Sequence, residues 1–322
     1  MIQSRPLYLF PHLPKTGGAA LFQNVERFLP VSRCLRLNCT HRQYYVDPRT
    51  RKLHFYESEE DFKNLMKSLS ESEKSQIQFA SGHDLAYGFH EYFPQPARYF
   101  MFVREPIART ISLYNYQRTQ HEFLNKMKKM DESHRRLRLF SQRWFLREGK
   151  VPSFEEWLEE SYNHDYPFYF TMTRTLQHLH YLDVEIKEDS WGKLLQKFFF
   201  VGLTETLNED ELYLYHEMGV RCFWANRNAS YPYISHNQLE KRLQEKIREK
   251  NPDDFLLYER AKRANSSFKK KQKDFPIIVK QMEMKKKGYF LIEKGGPLIK
   301  FFLRPLLPKS LRKRIKKYFI NQ

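Results

Sequence analysis

The sequence predicts an α/β fold in which helices flank a parallel β-sheet. Short apolar runs occur at residues 7–10, 99–103 and 198–203, and a helical pattern follows each of them. Strands that are covered on both faces are apolar throughout, and their alternation with helices is typical of a parallel sheet. The chain has 322 residues, of which 41% are hydrophobic and 16% aromatic, so it can form a substantial core and is not disordered throughout.

The helices can be placed in chain order from apolar spacing and from end signals. Pro11 ends the first strand. In the segment after that strand, apolar residues recur at helical spacing. Ser153 and Glu156 form a capping box, which marks a helix N-terminus, and Gly219 marks a C-terminus. The predicted helices cover residues 17–28, 106–120, 154–161, 209–218, 238–250 and 253–264.

The positive charge of the chain is concentrated at its C-terminus. There are 56 Lys and Arg against 38 Asp and Glu, a formal net charge of +18. Residues 269–322 alone contain 17 Lys and Arg against 3 Asp and Glu, and residues 126–148 contain 8 against 3. We therefore predict a single domain over residues 1–268 and a basic C-terminal extension over residues 269–322. Because the body is close to neutral, nucleic acid is the weakest candidate partner.

The extension contains a basic amphipathic segment at residues 310–319 (SLRKRIKKYF). Its apolar residues Leu311, Ile315 and Phe319 recur every four positions among Lys and Arg, a pattern typical of helices that lie on anionic lipid surfaces. The alternative is a solubilising or disordered tail. No signal peptide and no run of about 20 apolar residues is present. We expect a cytoplasmic protein, with the tail as its means of peripheral attachment to the inner face of the membrane.

The most informative segment is the loop His12-Leu13-Pro14-Lys15-Thr16-Gly17-Gly18, between the first strand and the first helix. Glycines allow close approach of the backbone to a ligand, and the N–H groups at a helix start bind anions. Lys15 adds a cation that can reach phosphate oxygens. The lysine precedes the glycines, whereas in P-loop ATPases it follows them. The segment predicts a P-loop-like phosphate site, and the alternative is an ordinary turn.

Arg104 follows the second predicted strand, and Ser112 lies eight residues later in the helix. Ligands of open α/β sheets bind at the carboxyl ends of the strands. A guanidinium can bind phosphate bidentately while a serine hydroxyl donates from the neighbouring helix. The alternative is a surface ion pair of Arg104 or Arg109 with Glu105, which contributes little. We assign Arg109 to such a surface pair.

A histidine follows a glycine in the segment between these two regions, at Gly82-His83. It comes after an apolar run at residues 77–80, so it can be exposed at the same edge of the sheet. The near-neutral pKa of histidine suits a general base. His83 is the first candidate for that role and His90 is the second.

Together these segments resemble the carbohydrate sulfotransferases of the type-2 family, in particular bacterial relatives of the heparan and dermatan 2-O-sulfotransferases. Residues 12–21 (HLPKTGGAAL) resemble the family's 5'-phosphosulfate loop, and residues 99–114 (YFMFVREPIARTISLY) resemble its 3'-phosphate segment. Gly82-His83 resembles the pair that bears the catalytic histidine. Residues 200–205 (FVGLTE) and 251–258 (NPDDFLLY) resemble later landmarks, so the resemblance runs from residue 5 to 268.

The resemblance implies sulfuryl transfer from 3'-phosphoadenosine 5'-phosphosulfate (PAPS) to a carbohydrate hydroxyl, without a metal. His83 would act as general base and Lys15 would stabilise the leaving oxygen. The residues implied to bind the donor are Lys15, Thr16, Gly17 and Gly18 at the 5' end and Arg104 and Ser112 at the 3'-phosphate. One departure is Ala19-Ala20, where the family often has hydroxyl residues that donate to the 5'-phosphate.

A cationic segment follows the 3'-phosphate helix and is a candidate contact for an anionic glycan acceptor, the alternative being a solvated helix face. It comprises Arg118, His121, Lys126, Lys128, Lys129, Arg135, Arg136, Arg138, Arg143 and Arg147. The segment Arg227-Asn228-Ala229-Ser230 lies where the family often has a nucleotide-contacting loop. Two other functions stay open: a P-loop kinase or NTPase, and a non-enzymatic protein that binds polyanions or membrane surfaces.

Overall fold

The computed structural model describes residues 5–30, 33–39, 43–46, 53–56, 64, 66–127, 145–146, 149–163, 170–221 and 231–298. These residues form a seven-stranded sheet with the order β4-β3-β2-β5-β1-β6-β7. The strands are β1 (Leu7–Pro11), β2 (Cys34–Cys39), β3 (Gln43–Val46), β4 (Leu53–Tyr56), β5 (Phe79–Gly82), β6 (Ala97–Val103) and β7 (Phe200–Leu203). Strands β2, β5, β1, β6 and β7 run parallel, whereas β3 and β4 are antiparallel at one edge.

The helices lie between and after the strands. They are α1 (Gly18–Phe28), α2 (Glu71–Gln76), α3 (Pro106–Lys126), α4 (Phe154–Asn163), α5 (Met172–His178), α6 (Ser190–Gln196), α7 (Leu207–Glu217), α8 (Lys241–Lys250), α9 (Pro252–Lys271) and α10 (Phe275–Leu298). The predicted α/β class is thus confirmed. The predicted capping box is also present, because the backbone N–H of Ser153 donates to Glu156 and the backbone N–H of Glu156 donates to the Ser153 hydroxyl.

The central strand β1 shows why the strands are apolar throughout. Its neighbours are β5 and β6, and Leu9 pairs with Ala80 on one side and Tyr99 on the other. Leu7 and Leu9 pack into the core on one face of the sheet, whereas Tyr8 and Phe10 pack into a second core beneath α1, α7 and α10. Since alternate side chains enter opposite cores, no position in the strand is left for a solvated residue.

The parallel strands bring the predicted functional loops to one edge. The carboxyl ends of β5, β1, β6 and β7 lie side by side, at Gly82, Pro11, Val103 and Leu203. The loop before α1, His83 and Arg104 each follow one of these ends. The topology therefore collects three segments that are far apart in sequence.

The boundary drawn at residue 268 falls inside α9, which continues to Lys271. The Lys269 ammonium lies 2.7 Å from a carboxylate oxygen of the buried Asp210. In α10, Phe275 and Met282 are buried in the core, and the Phe275 ring stacks on Tyr213 at 5.1 Å. The beginning of the predicted extension therefore packs on the sheet as part of the folded body.

The amphipathic segment 310–319 lies outside the described residues. Across the part of the chain that the structure describes, no helix has the length and apolar character needed to cross a bilayer.

Candidate functional site

The loop between β1 and α1 has a tightly fixed backbone. The N–H of His12 donates to the Gly82 carbonyl at 2.9 Å, which ties the loop to the end of β5. The Thr16 side chain is buried, and its hydroxyl donates to the Leu13 carbonyl at 2.8 Å. Thr16 can therefore bind an anion through its backbone N–H rather than through its hydroxyl.

Two loop residues have left-handed backbone angles, Lys15 at φ 67° and Gly17 at φ 91°. Glycine adopts this region freely, whereas for a residue with a side chain it is uncommon and costs energy. Such strain concentrates at ligand-binding and catalytic loops because the surrounding structure must hold it in place. The surrounding structure holds Lys15 in this conformation, as it does His180 at φ 59°.

Gly18 allows α1 to begin directly against the strand. A Cβ atom at this position would lie 2.3 Å from the Phe10 ring and 2.9 Å from the His12 ring. Among the described residues, no side chain caps the N-terminus of α1. The first N–H groups of a helix have no intrahelical acceptor, so this helix start can bind an anion.

Lys15 carries an ammonium group with an unusual environment. Its Nζ lies 4.3 Å from the centroid of the Tyr116 ring, and no carboxylate pairs with it in the described part of the chain. Burial, and to a smaller extent the charges of Arg104 and Arg109, together lower the pKa of Lys15 from 10.5 to about 8. An anionic ligand would oppose all three effects.

Arg104 contacts the same loop from the end of β6. Its Nη1 donates to the Lys15 carbonyl at 3.3 Å. Burial lowers the pKa of Arg104, and the nearby carboxylates of Glu205 and Glu105 partly offset that effect. The guanidinium has five donors in all, so one bond to the loop leaves it able to bind a phosphate as well.

Ser112 lies on the loop-facing side of α3. It comes three residues after Arg109 and four before Tyr116, and those two side chains contact Pro14 and Lys15 respectively. Residues at these spacings share one face of a helix. Ser112 is half-buried on that face.

The assignment of Arg109 to a surface ion pair is wrong. Its side chain is buried, with Nε donating to the Pro14 carbonyl at 3.0 Å and Nη1 to the Phe170 carbonyl at 2.6 Å. Burial lowers its pKa to about 10, against the opposing charge of Asp254. Arg109 thus connects the loop between β1 and α1 to the segment that carries Phe170.

Thr204 is a positioning residue that the sequence did not single out, although it lies within the FVGLTE segment. Its hydroxyl oxygen is 2.7 Å from the Thr16 carbonyl and 3.1 Å from the Val103 carbonyl. It therefore connects the end of β7 to both the loop and β6. Only the order of the strands reveals this role, because β7 lies next to β6 in space.

His83 is placed at the same edge with a defined tautomer. Its Nδ1 lies 2.6 Å from the His12 carbonyl oxygen, and the two imidazole rings stack at 4.5 Å. A carbonyl only accepts hydrogen bonds, so Nδ1 carries the proton and the lone pair of the neutral ring is on Nε2. This is the nitrogen a general base needs.

The residue before His83 has to be a glycine because of its close contact with strand β2. A Cβ atom at Gly82 would lie 1.3 Å from the Leu37 carbonyl oxygen of the paired strand β2. No other residue fits there without moving a strand, so the glycine holds the His83 backbone at the sheet edge.

His90, the second candidate base, lies elsewhere. Its Nδ1 is 3.1 Å from the Tyr99 hydroxyl oxygen, which also accepts from the His90 backbone N–H at 3.2 Å. Tyr99 precedes Val103 by four residues, about 13 Å along the strand. His90 therefore contacts β6 four residues before the strand end that Arg104 follows.

The cationic segment after α3 is described only in part. Arg118 pairs with Glu122 at 3.3 Å and lies over the Tyr233 ring at 4.1 Å. His121 is buried, with Nε2 2.7 Å from the Asn125 amide, so it faces the interior rather than an acceptor. Lys126 is exposed at the end of α3. The remaining cationic residues and residues 227–230 lie outside the described part of the chain.

Taken together, the sheet edge carries a glycine loop, a helix start, the cations Lys15, Arg104 and Arg109, and one histidine of defined tautomer. Within the described residues, no group of three His, Cys, Asp or Glu side chains is arranged to hold a metal ion. No protein-family model matches the chain, and no curated protein matches it.

Proposed function

We propose that the protein transfers a sulfuryl group from PAPS to a hydroxyl of a carbohydrate. The observation that carries the proposal is the convergence of Lys15, Arg104 and Arg109 on one glycine loop at a helix start. Burial lowers the pKa of all three groups, and neighbouring cations lower it further for Lys15 and Arg109, so the site disfavours its own positive charge. A polyanionic ligand offsets that cost.

The loop suits the 5' end of such a donor. The backbone N–H groups of Thr16, Gly17 and Gly18 and the Lys15 ammonium would hold the 5'-phosphosulfate. Ala19 and Ala20 supply no hydroxyl, and the Thr16 hydroxyl is already bound to Leu13. Affinity at this end therefore depends on backbone groups and on Lys15.

The 3'-phosphate would be held by Arg104 and Ser112. Arg104 contacts the loop from the end of β6, and Ser112 lies on the face of α3 that carries the loop-contacting residues Arg109 and Tyr116. A phosphate between them would fix the nucleotide in one register relative to Lys15. The requirement for a 3'-phosphate separates this donor from ordinary nucleoside triphosphates.

In the mechanism that follows, Nε2 of His83 takes the proton from the acceptor hydroxyl as its oxygen attacks sulfur. The new S–O bond forms while the bond from sulfur to the bridging oxygen of the 5'-phosphate breaks. Lys15 donates a hydrogen bond to that leaving oxygen, and the His12 carbonyl stabilises the imidazolium through Nδ1–H. The imidazolium then releases its proton to solvent.

The test is incubation with ³⁵S-labelled PAPS and a panel of glycans, together with calorimetric titration of adenosine 3',5'-bisphosphate. We expect label on at least one glycan and specific binding of the bisphosphate. If neither occurs, the result favours the alternative, a non-enzymatic polyanion-binding protein. Tight ATP binding that does not depend on a 3'-phosphate would instead favour a kinase or NTPase.

The Arg104→Ala variant tests whether Arg104 binds the 3'-phosphate. It should weaken binding of the 3',5'-bisphosphate far more than binding of adenosine 5'-phosphate. Arg98→Ala is the matched control, because Arg98 lies at the opposite end of the same strand and pairs with Glu217 at 2.9 Å. Equal losses for both nucleotides in Arg104→Ala would contradict the assignment.

A further inference from the structure

The left-handed backbone of Lys15 is held from both sides by guanidinium groups. Arg109 donates through Nε to the Pro14 carbonyl at 3.0 Å, and Arg104 donates through Nη1 to the Lys15 carbonyl at 3.3 Å. Each carbonyl belongs to a planar peptide group, one before and one after the Cα of Lys15. Since these two groups define φ and ψ of Lys15, the two hydrogen bonds fix the backbone from which its ammonium extends.

Arg109 needs a compensating charge because it is the more deeply buried of the two. Its side chain donates to the carbonyls of Pro14 and Phe170, which carry no net charge, and the residue is 1% exposed. A buried cation is costly unless an anion compensates it. Burial lowers the pKa of Arg109, and the negative charge of Asp254 acts against that effect.

Asp254 binds the stretch of chain that Arg109 also binds. It lies in α9 and is 3% exposed, and its Oδ2 accepts from the Met172 N–H at 3.0 Å. Its Oδ1 accepts from the Thr173 N–H at 2.9 Å and from the Thr173 hydroxyl at 2.6 Å. Met172 comes two residues after Phe170, whose carbonyl accepts from Arg109. Residues 170–173 are therefore held by Arg109 from α3 and by Asp254 from α9.

Tyr162 of α4 contacts both ends of this arrangement. Its ring packs edge-to-face on Phe170 at 5.4 Å, and its hydroxyl accepts from the amide of Asn251, which precedes α9. Burial raises the pKa of Tyr162, and the charge of Asp254 raises it while that of Arg109 lowers it. Both charges are thus within electrostatic reach of one buried hydroxyl.

We propose that Asp254 is a positioning residue for the loop between β1 and α1. Its carboxylate compensates Arg109 and anchors residues 170–173, and Arg109 in turn holds the peptide group between Pro14 and Lys15. The inference rests on the proposed function and adds to it a residue that acts through Arg109. The alternative is that Asp254 serves only the N-terminus of α5, in which case its effect does not depend on Arg109.

The test is a double-mutant cycle of Asp254→Asn and Arg109→Met, read out by hydrogen–deuterium exchange of residues 12–18 and 172–178. Asparagine keeps the size of the side chain and removes its charge. Asp254→Asn should speed exchange of both segments when Arg109 is present. In the Arg109→Met background it should speed exchange of residues 172–178 alone, because the connection to the loop is already lost. Asp253→Asn is the matched control, since Asp253 is the exposed neighbour, and it should change neither segment.

Nucleotide binding gives a second readout. Asp254→Asn should weaken adenosine 3',5'-bisphosphate and adenosine 5'-phosphate by the same factor, about tenfold, because the loop is assigned to the 5' end that both share. Arg104→Ala should instead affect mainly the bisphosphate. In the Arg109→Met background, Asp254→Asn should leave both affinities unchanged.

Exchange of residues 12–18 that Asp254→Asn speeds equally in both backgrounds, or in neither, would overturn the proposal. If Asp254→Asn does not fold, a folded double variant supports the compensation of Arg109, because no buried cation is then left without an anion. A double variant that also fails to fold would overturn it. If the wild type binds neither nucleotide, the proposed function fails, while the exchange cycle still decides the role of Asp254.

Discussion

At the scale of single residues, the charge of Lys15 depends on pH within the range in which the protein can be assayed. Because its pKa is lowered to about 8, the ammonium is half deprotonated near that pH, although a bound phosphate requires it protonated. We expect affinity for adenosine 3',5'-bisphosphate to fall as the pH rises through about 8, and binding above that pH to take up a proton. Calorimetry in buffers of different ionisation enthalpy measures both.

The control for this pH dependence is Lys15→Met. This variant should bind the bisphosphate more weakly and show no step in affinity near pH 8. An affinity of the wild type that stays constant from about pH 7 to about pH 9.5 would contradict the role of Lys15, since an ordinary lysine titrates only at the upper end of that range.

The two histidines differ in what their surroundings allow. His83 has its lone pair on Nε2 at the site, whereas the ring of His90 is hydrogen-bonded to Tyr99, four residues before the end of β6. We expect His83→Ala to lower sulfuryl transfer about 10²–10⁴-fold and to leave bisphosphate binding unchanged. His90→Ala should keep the wild-type rate. A larger loss in His90→Ala than in His83→Ala would reverse the assignment.

The local sequence supplied the candidates Lys15, Arg104 and His83, because each follows a recognisable strand. It failed for Arg109 and Thr204, whose roles depend on partners far along the chain. Arg109 contacts Pro14 and Phe170, and Thr204 contacts Thr16. A charged residue in a helix has the same local pattern whether its guanidinium faces solvent or buried carbonyls, so only the tertiary structure separates the two.

At the scale of elements, the contact of β5 with β2 controls the position of His83. We expect Gly82→Ala to reduce the free energy of unfolding by about 3 kcal/mol or more, because its Cβ would overlap the Leu37 carbonyl. Gly192→Ala in α6 is the matched control. Its Cβ would meet nothing within 4 Å, so it should be stabilising by about 0.5–1 kcal/mol.

Urea unfolding of the two glycine variants measures the difference. A Gly82→Ala protein as stable as the wild type would show that β2 and β5 can separate, and the placement of His83 would then lose its basis. If Gly82→Ala does not fold but Gly192→Ala is obtained in normal yield, we attribute the loss of folding to the contact with Leu37.

The elements found from sequence are those with strong apolar runs or end signals. Strands β1, β6 and β7 and the helices after them are of this kind. Strands β2, β3 and β4 were not anticipated. The β3–β4 pair is an antiparallel edge, and such an edge carries a weaker apolar signal than a central parallel strand. Its position is set by pairing with β2 rather than by its own composition.

Across the whole molecule, the basic C-terminal region divides into two parts. Lys269, Phe275 and Met282 belong to the folded body. A chain ending at residue 268 loses Lys269, which pairs with the buried Asp210, and two core side chains. We expect its free energy of unfolding to fall by about 3–6 kcal/mol, from the burial of the two side chains alone. A chain ending at residue 298 should unfold like the full protein. Equal stability of the two truncations would show that α10 does not contribute to the core.

The remaining residues, 299–322, contain eight Lys and Arg and no Asp or Glu. Near an anionic bilayer each such residue contributes about 1 kcal/mol, and the apolar residues of the segment 310–319 add to this. We therefore expect the full chain to float with anionic liposomes, and the chain ending at residue 298 to remain in solution. About 0.5 M salt should release the full chain, since screening removes the attraction. Neutral liposomes are the control, and equal flotation of both chains would assign membrane binding to the folded body instead of the tail.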